Sequence, residues 1–311
     1  MATPLRPTTL LIVAAVLAPS HALAQAPSLI AMWGSYVTVD TQFNTPVGIA
    51  LDHAGNVYVV DSNANRIQKF NNDGVFIAQW GGYGAGAGQL WAPQGLAVDA
   101  DGNVFVTDSG NDRVQEFTSA GAFIRAWGGP GFGPTCVAVD PGGDVFVSAL
   151  SYNRIQRFTR TGTLLDTWSV AGADGIGTDQ AGSVYACVPS QGVVLRFTNS
   201  GAQDLSLTPP RNGATQPVRP VRVAASVHGL IYVDDYLNCR IQVFTSDGAY
   251  ITQWGSCGSA PGQFLSPIGI AVDANENVYV ADTNNSRIQK FGPVPTPTAT
   301  ASWGSLKTRY R

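Results

Sequence analysis

Two kinds of residue recur along this 311-residue chain at the same intervals. One closes an apolar run: Asp52, Asp99, Asp140, Asp179, Ser226 and Asp273. The other is an aromatic: Phe70, Phe117, Phe158, Phe197, Phe244 and Phe291. Both sets step by 47, 41, 39, 47 and 47 residues. Two anchors moving together mean six copies of one unit, with all length variation in the connections between copies.

Each unit contains four strand-like pieces. In the first copy these are GIALD (48–52), NVYVVD (56–61), RIQKF (66–70) and FIAQW (76–80), rich in β-branched and aromatic residues and separated by turn sequences. Gly55 and Gly74 mark two of the turns, and glycine returns at the first place as Gly102, Gly143, Gly182 and Gly229 and at the second as Gly121, Gly162, Gly201 and Gly248. No segment has helical periodicity. A period of about 40 residues with four short strands is the signature of a propeller blade. An isolated blade exposes two apolar sheet faces, and packing six radially buries both. The expected fold is therefore all-β, a six-bladed β-propeller of four-stranded blades.

The last copy stops after RIQKF (287–291) and lacks a fourth strand. LIAMWG (29–34) repeats the pattern of FIAQWG (76–81), so residues 28–35 are expected to complete the last blade and close the ring. TASWG (300–304) is a rival, set apart by the Pro/Thr-rich stretch Pro293–Pro297. The expected organisation is a signal peptide at 1–24, a propeller at 25–292 and a Pro/Thr linker with basic tail at 293–311. The blade units are about 43–82, 89–129, 131–170, 173–207, 217–255 and 263–292 plus 28–35.

Units such as PVGIALDHAGNVYVVDSNANRIQKF (46–70) and PIGIAVDANENVYVADTNNSRIQKF (267–291) resemble NHL repeats. The resemblance runs from residue 28 to 292, and the copy at 173–207 is the most degraded. It implies a six-bladed propeller of a family used in protein binding, RNA binding, sensor ectodomains and some lyases or lactonases. It does not choose among them.

Composition narrows that range. The charge is −3, charged residues make up 13%, and Gly (35) and Pro (19) are plentiful, which suits a turn-rich β protein. An acidic chain without clustered Lys and Arg does not suit nucleic acid. Arg6, the apolar run Leu10–Leu17 and Ala22-Leu23-Ala24 read as a cleavable export signal. No other segment is apolar and long enough to span a bilayer. The expected product is an exported monomer, periplasmic, cell-surface or extracellular.

Several patterns have residue types that could build a site. Asp-x-x-Asn-x-Arg recurs as Asp108/Arg113, Asp235/Arg240 and Asp282/Arg287, with Asp61/Arg66 as a variant. A role repeated in most blades points to loop architecture. A zinc lyase of the amidating kind needs converging histidines, whereas His53 and His228 lie on separate blade turns. Asp99-Ala100-Asp101-Gly102-Asn103 has the look of a calcium loop, but Val104 and Gly110 stand where its glycine and bidentate carboxylate belong. A gluconolactonase-type channel ion needs acids on the innermost strands, and Glu116 and Glu276 lie elsewhere. No metal, cofactor or catalytic residue is expected.

The four cysteines suit an exported protein. Cys239 and Cys257 border adjacent antiparallel strands and are expected to pair. Cys136 and Cys187 are expected near the same face of neighbouring blades, a second candidate pair.

The remaining signal lies where copies differ. First strands open Pro-x-Gly, but blade 5 reads Pro220-Val221-Arg222, which puts Arg222 near the channel mouth. Asp174 and Gln94 occupy the middle position in blades 4 and 2. Arg222, Asp174 and Gln94 form the ligand-site candidate, and a plugging Arg222–Asp174 pair is the alternative. The long linkers on that face add Tyr83 and Trp91, with Arg211 and Arg219 in the insertion 208–220. The expected function is a non-catalytic module binding a protein, peptide or glycan. A lyase or lactone hydrolase at the channel mouth is the alternative.

Overall fold

The computed structural model describes residues 25–35, 42–211, 213 and 216–295. The expected signal peptide, the rival strand at 300–304 and the basic tail with Lys307, Arg309 and Arg311 lie outside the described residues. Six four-stranded antiparallel sheets are arranged as the blades of a β-propeller. In blade 1 the strands are Pro46–Leu51, Val57–Asp61, Arg66–Phe70 and Phe76–Gly81. The later blades repeat that order. In blade 6 the strand Leu29–Trp33 pairs antiparallel with Arg287–Phe291, joining residues from the two ends of the propeller. Sequence periodicity announces no helix, yet five blades carry one 3-10 turn between second and third strands.

The second strand of every blade is buried on both faces, so its side chains divide by parity between two interfaces. In blade 1, Val57 and Val59 pack with Tyr279 and Ile288 of blade 6, while Tyr58 and Val60 pack with Leu96 and Val104 of blade 2. Six such clusters, one between each pair of neighbouring blades, make up the core. Burying one Val or Leu side chain stabilises by roughly 1.5–3 kcal/mol, so the ring is held by its interfaces rather than by any single blade.

Both anchors have local causes. Asp52 Oδ1 accepts from the Ala54 and Asn56 amides at 3.0 and 2.9 Å, closing the turn between first and second strands. Asp99 and Asp273 do the same in their blades. The aromatic anchor receives a fourth-strand tryptophan: Trp33 on Phe70, Trp80 on Phe117, Trp127 on Phe158, Trp168 on Phe197 and Trp254 on Phe291. In each case the tryptophan belongs to the preceding blade, and Trp33 carries the pattern across the junction of blades 6 and 1.

The Asp/Arg loops are clamps. Arg113 Nε meets Asp108 at 2.6 Å, and its other nitrogens donate to the carbonyls of Ala85, Gly86 and Gln89 in the preceding linker. Arg287 holds Asp282 and the carbonyls of Ser259, Ala260 and Gln263 in the same way. Arg66 and Arg240 pair with Asp61 and Asp235 and also reach upstream carbonyls. All four carboxylates are buried. The Gly-rich linker 81–93 is thereby built structure, with Tyr83 bridged to Leu90.

A second tie fastens the 2–3 loops of blades 1, 2, 3 and 5 to the following linkers. Asn65, Asp112 and Asn153 sit at φ of 53–54° and accept from the amides of Ala92, Gly133 and Gly172. In blade 5 that left-handed position is Cys239, and the tie is a disulfide to Cys257 in the linker beyond.

Cys136 and Cys187 are not bridged, which corrects the second candidate pair. Cys136 packs into the interface of blades 3 and 4, with Ala186 and Val188. Cys187 follows Ala186 by one residue and therefore faces the opposite way, into the interface of blades 4 and 5 with Val223 and Ile231. The blade 4 sheet stands between the two thiols.

Candidate functional site

The six innermost strands approach so closely that a Cβ at Gly48 or Gly269 would lie 2.6 Å from a carbonyl oxygen of the neighbouring blade. Glycine at this position is a packing requirement. Blades 3 and 5 depart from it with Cys136 and Arg222. In blade 5 the first-strand register shifts between Pro220 and Val223. Both Val221 and Arg222 amides turn to Asp234 Oδ1, at 2.8 and 2.6 Å. The Arg222 side chain then runs over Gly175, with its Cδ 2.8 Å from where a Gly175 Cβ would stand. Nη1 ends 2.8 Å from Asp174 Oδ1, bridging blades 5 and 4.

Arg222 is only 8% exposed and forms part of the wall of two spaces. Below it is the channel, bordered by first-strand residues of every blade and by Cys136. Above it is a mouth cavity of about 380 Å3. That cavity meets the Pro-x-Gly middle residue of each blade in turn: Val47, Gln94, Thr135, Asp174, Val221 and Ile268. Blades 2, 3 and 4 supply a polar half-ring, and blades 5, 6 and 1 an apolar one. Ser62, Leu150 and Tyr236 from the 2–3 loops stand above, with Arg219 5.5 Å over the Tyr236 ring.

Burial opposes the Arg222 charge, but Cys136, Asp174 and Asp234 around it hold the guanidinium above its ordinary value. Burial pushes the Asp234 carboxyl well above the usual range, against the lowering effect of the amides it accepts. Burial likewise raises the Cys187 thiol and keeps it unreactive. Among the described residues, Arg222 Nε and Asp234 Oδ2 are closed off from solvent and have no hydrogen-bond partner.

Of the residues singled out from sequence, Arg222, Asp174 and Gln94 meet at this mouth. Tyr83 and Trp91 form an exposed edge-to-face pair, ring centroids 6.2 Å apart, on the neighbouring linker rather than in the cavity wall. His53 lies at the opposite end of the channel beside Asp99, Asp140 and Asp179. His228 is paired at 2.7 Å with Glu276. Among the described residues no three His, Cys, Asp or Glu side chains converge as metal ligands. Sequence reasoning overlooked Thr135, Asp234 and Tyr236. Asp234 had a visible signal, since Asp234-Asp235 is the one acidic doublet at the end of a second strand.

The family model described as NHL repeat matches residues 264–291. The chain is a six-bladed β-propeller whose last blade matches the NHL repeat. A second family model, SMP-30/Gluconolactonase/LRE-like region, matches residues 24–139 of the propeller. Mouse peptidyl-glycine alpha-amidating monooxygenase is 42% identical over 86 residues, covering 26% of this chain and 9% of that protein. Drosophila melanogaster protein brain tumor is 50% identical over 42 residues, covering 14% of this chain and 4% of its own length. The chain spans less than a tenth of the length of these relatives. Among solved structures, virginiamycin B lyase from Staphylococcus aureus superposes with a TM-score of 0.61 at 18% identity, covering 82% of this chain and 97% of the lyase. A streptogramin B lyase gives 0.60 at 17% identity, covering 81% of this chain and 94% of its own. At such identity the likeness extends to the fold.

Proposed function

We propose that this propeller is an exported binding module that presents the face carrying its 2–3 loops and inter-blade linkers to a protein, peptide or glycan. The observation that carries the reading is the character of that face. Exposed Tyr83, Trp91, Leu150, Tyr152, Leu237 and Leu265 all belong to those loops and linkers, around a cavity with Arg219 and Arg222 in its wall. Aromatic side chains and arginines dominate binding energy at interfaces. The clamps described above hold them in place before any ligand arrives, which lowers the entropy lost on binding.

The test is a screen of residues 25–311 on peptide and glycan arrays, alongside a Tyr83→Ser/Trp91→Ser variant. The two rings contact each other and solvent, and Trp91 also lies over Gly110, so the variant should lose only a few degrees of melting temperature and stay folded. Hits that weaken about tenfold or more in the variant would support the reading. Hits indifferent to both residues would sink it.

The gluconolactonase-like match over residues 24–139 favours a second reading, a lyase or lactone hydrolase working at the channel mouth. Turnover of any member of a lactone panel, abolished by Arg222→Met, would establish it in place of the first.

A further inference from the structure

The mouth cavity has a chemistry more specific than the face around it. Its ring takes one residue from each blade, and the halves differ: Gln94, Thr135 and Asp174 on one side, Val221, Ile268 and Val47 on the other. A polyol or sugar spanning this ring would leave hydroxyls unpaired against the apolar half, at a cost of about 1–3 kcal/mol for each such group. A wholly apolar ligand would strand the polar half in the same way. A ligand with one polar end and one apolar body satisfies both.

The charge of the polar end follows from three charged side chains. Arg222 and Arg219 border the cavity against the single acid Asp174. Asp174 Oδ1 is already engaged by Arg222 Nη1 at 2.8 Å. Arg222 is more than nine-tenths buried, and the little it exposes borders the cavity. Arg219 is exposed beside it, so two guanidiniums face one engaged carboxylate, and an anion is the charge this rim favours. A volume of about 380 Å3 falls in the range of small-molecule sites, roughly 300–1,000 Å3.

From this we infer that the mouth binds a small amphipathic carboxylate, with its carboxylate toward Arg222 and Arg219 and its aliphatic or aryl body across Val221, Ile268 and Val47. The inference rests on the reading of this face as a binding surface and names a ligand class for its central cavity.

The probes are octanoate, octylammonium and acetate, titrated calorimetrically into residues 25–311 at neutral pH. Octanoate is expected to bind at one site, with acetate and octylammonium giving no saturable heat. Ile268→Asn alters only the half-exposed apolar ring and is expected to weaken octanoate about tenfold with an unchanged melting temperature. Arg222→Met should abolish binding, and its melting curve separates lost binding from lost fold. No saturable heat with octanoate, or an affinity indifferent to Ile268→Asn, overturns the inference. Octylammonium binding that is lost in Ile268→Asn also overturns it, while leaving the mouth a ligand site. The array result with the Tyr83/Trp91 variant is independent of all these outcomes, so the face and the cavity can fail separately.

Discussion

Glu276 replaces the turn glycine of the other five blades, and its removal can be predicted with a sign. Gly55, Gly102, Gly143, Gly182 and Gly229 hold that turn at φ of 81–88°, and Glu276 adopts φ of 61°. A side chain in the left-handed region costs about 1–2 kcal/mol. Its return lies in blade 5. Tyr58 and Tyr279 each donate their hydroxyl to the first-anchor aspartate of their own blade, Asp52 and Asp273. Blade 5 has Ser226 there, and the Tyr232 hydroxyl donates instead to Glu276 Oε2 of blade 6 at 3.0 Å. Burial first, and then the Glu276 charge, hold the Tyr232 hydroxyl protonated far above its ordinary range.

Glu276→Gly relieves the backbone strain but strands a phenol on a fully buried residue. Losing a hydrogen bond to a charged acceptor costs about 1.5–3 kcal/mol. The His228 contact is two-thirds exposed on the histidine side and adds little. The balance is a net destabilisation of about 1 kcal/mol, a fall in Tm of roughly 2–4 °C. With Tyr232→Phe already in place no phenol remains to strand, and the same change should stabilise by about 1 kcal/mol. Urea unfolding of the four proteins in the cycle measures this reversal. If Glu276→Gly stabilises the otherwise unaltered protein, or if the two changes add without coupling, the carboxylate is not acting as the missing aspartate of blade 5.

Three further predictions concern Asp234 beside the mouth, the blade 5 tie and the two unbridged cysteines. Asp234→Asn keeps an acceptor for the Val221 and Arg222 amides but cannot ionise. Because the Asp234 value is raised, its stabilising share is complete below its unfolded value and is lost as pH rises through the folded one, so the variant should gain on the unaltered protein by up to about 1.4 kcal/mol per pH unit above the unfolded value. Parallel pH profiles would disprove this. Reducing the Cys239–Cys257 bond, which closes 18 residues, should remove about 3 kcal/mol. Without reductant, denatured protein should release two titratable thiols, Cys136 and Cys187, and a count of zero would contradict the unbridged pair.

Blade number, blade phase and the place of each strand were legible in the sequence because a blade is a run of hairpins whose partners are neighbours along the chain. Asp52 with Asn56 and Asp108 with Arg113 are local pairings, and their repetition is visible as spacing. The faces of Cys136 and Cys187 were legible too, since one-residue parity assigns each to an interface, but nearness to one end of the channel says nothing about which side of a sheet a thiol faces. The mouth was half legible: Arg222, Asp174 and Gln94 stand out as departures from the repeat, whereas Val47, Val221 and Ile268 look like ordinary strand residues. Only closure of the ring brings those six positions together. It carries Arg222 across Gly175 to a carboxylate 48 residues away and sets Glu276 beneath a tyrosine 44 residues away. Such contacts depend on the radial distance between blades, which is set by packing in six interfaces at once and leaves no periodic trace in the chain.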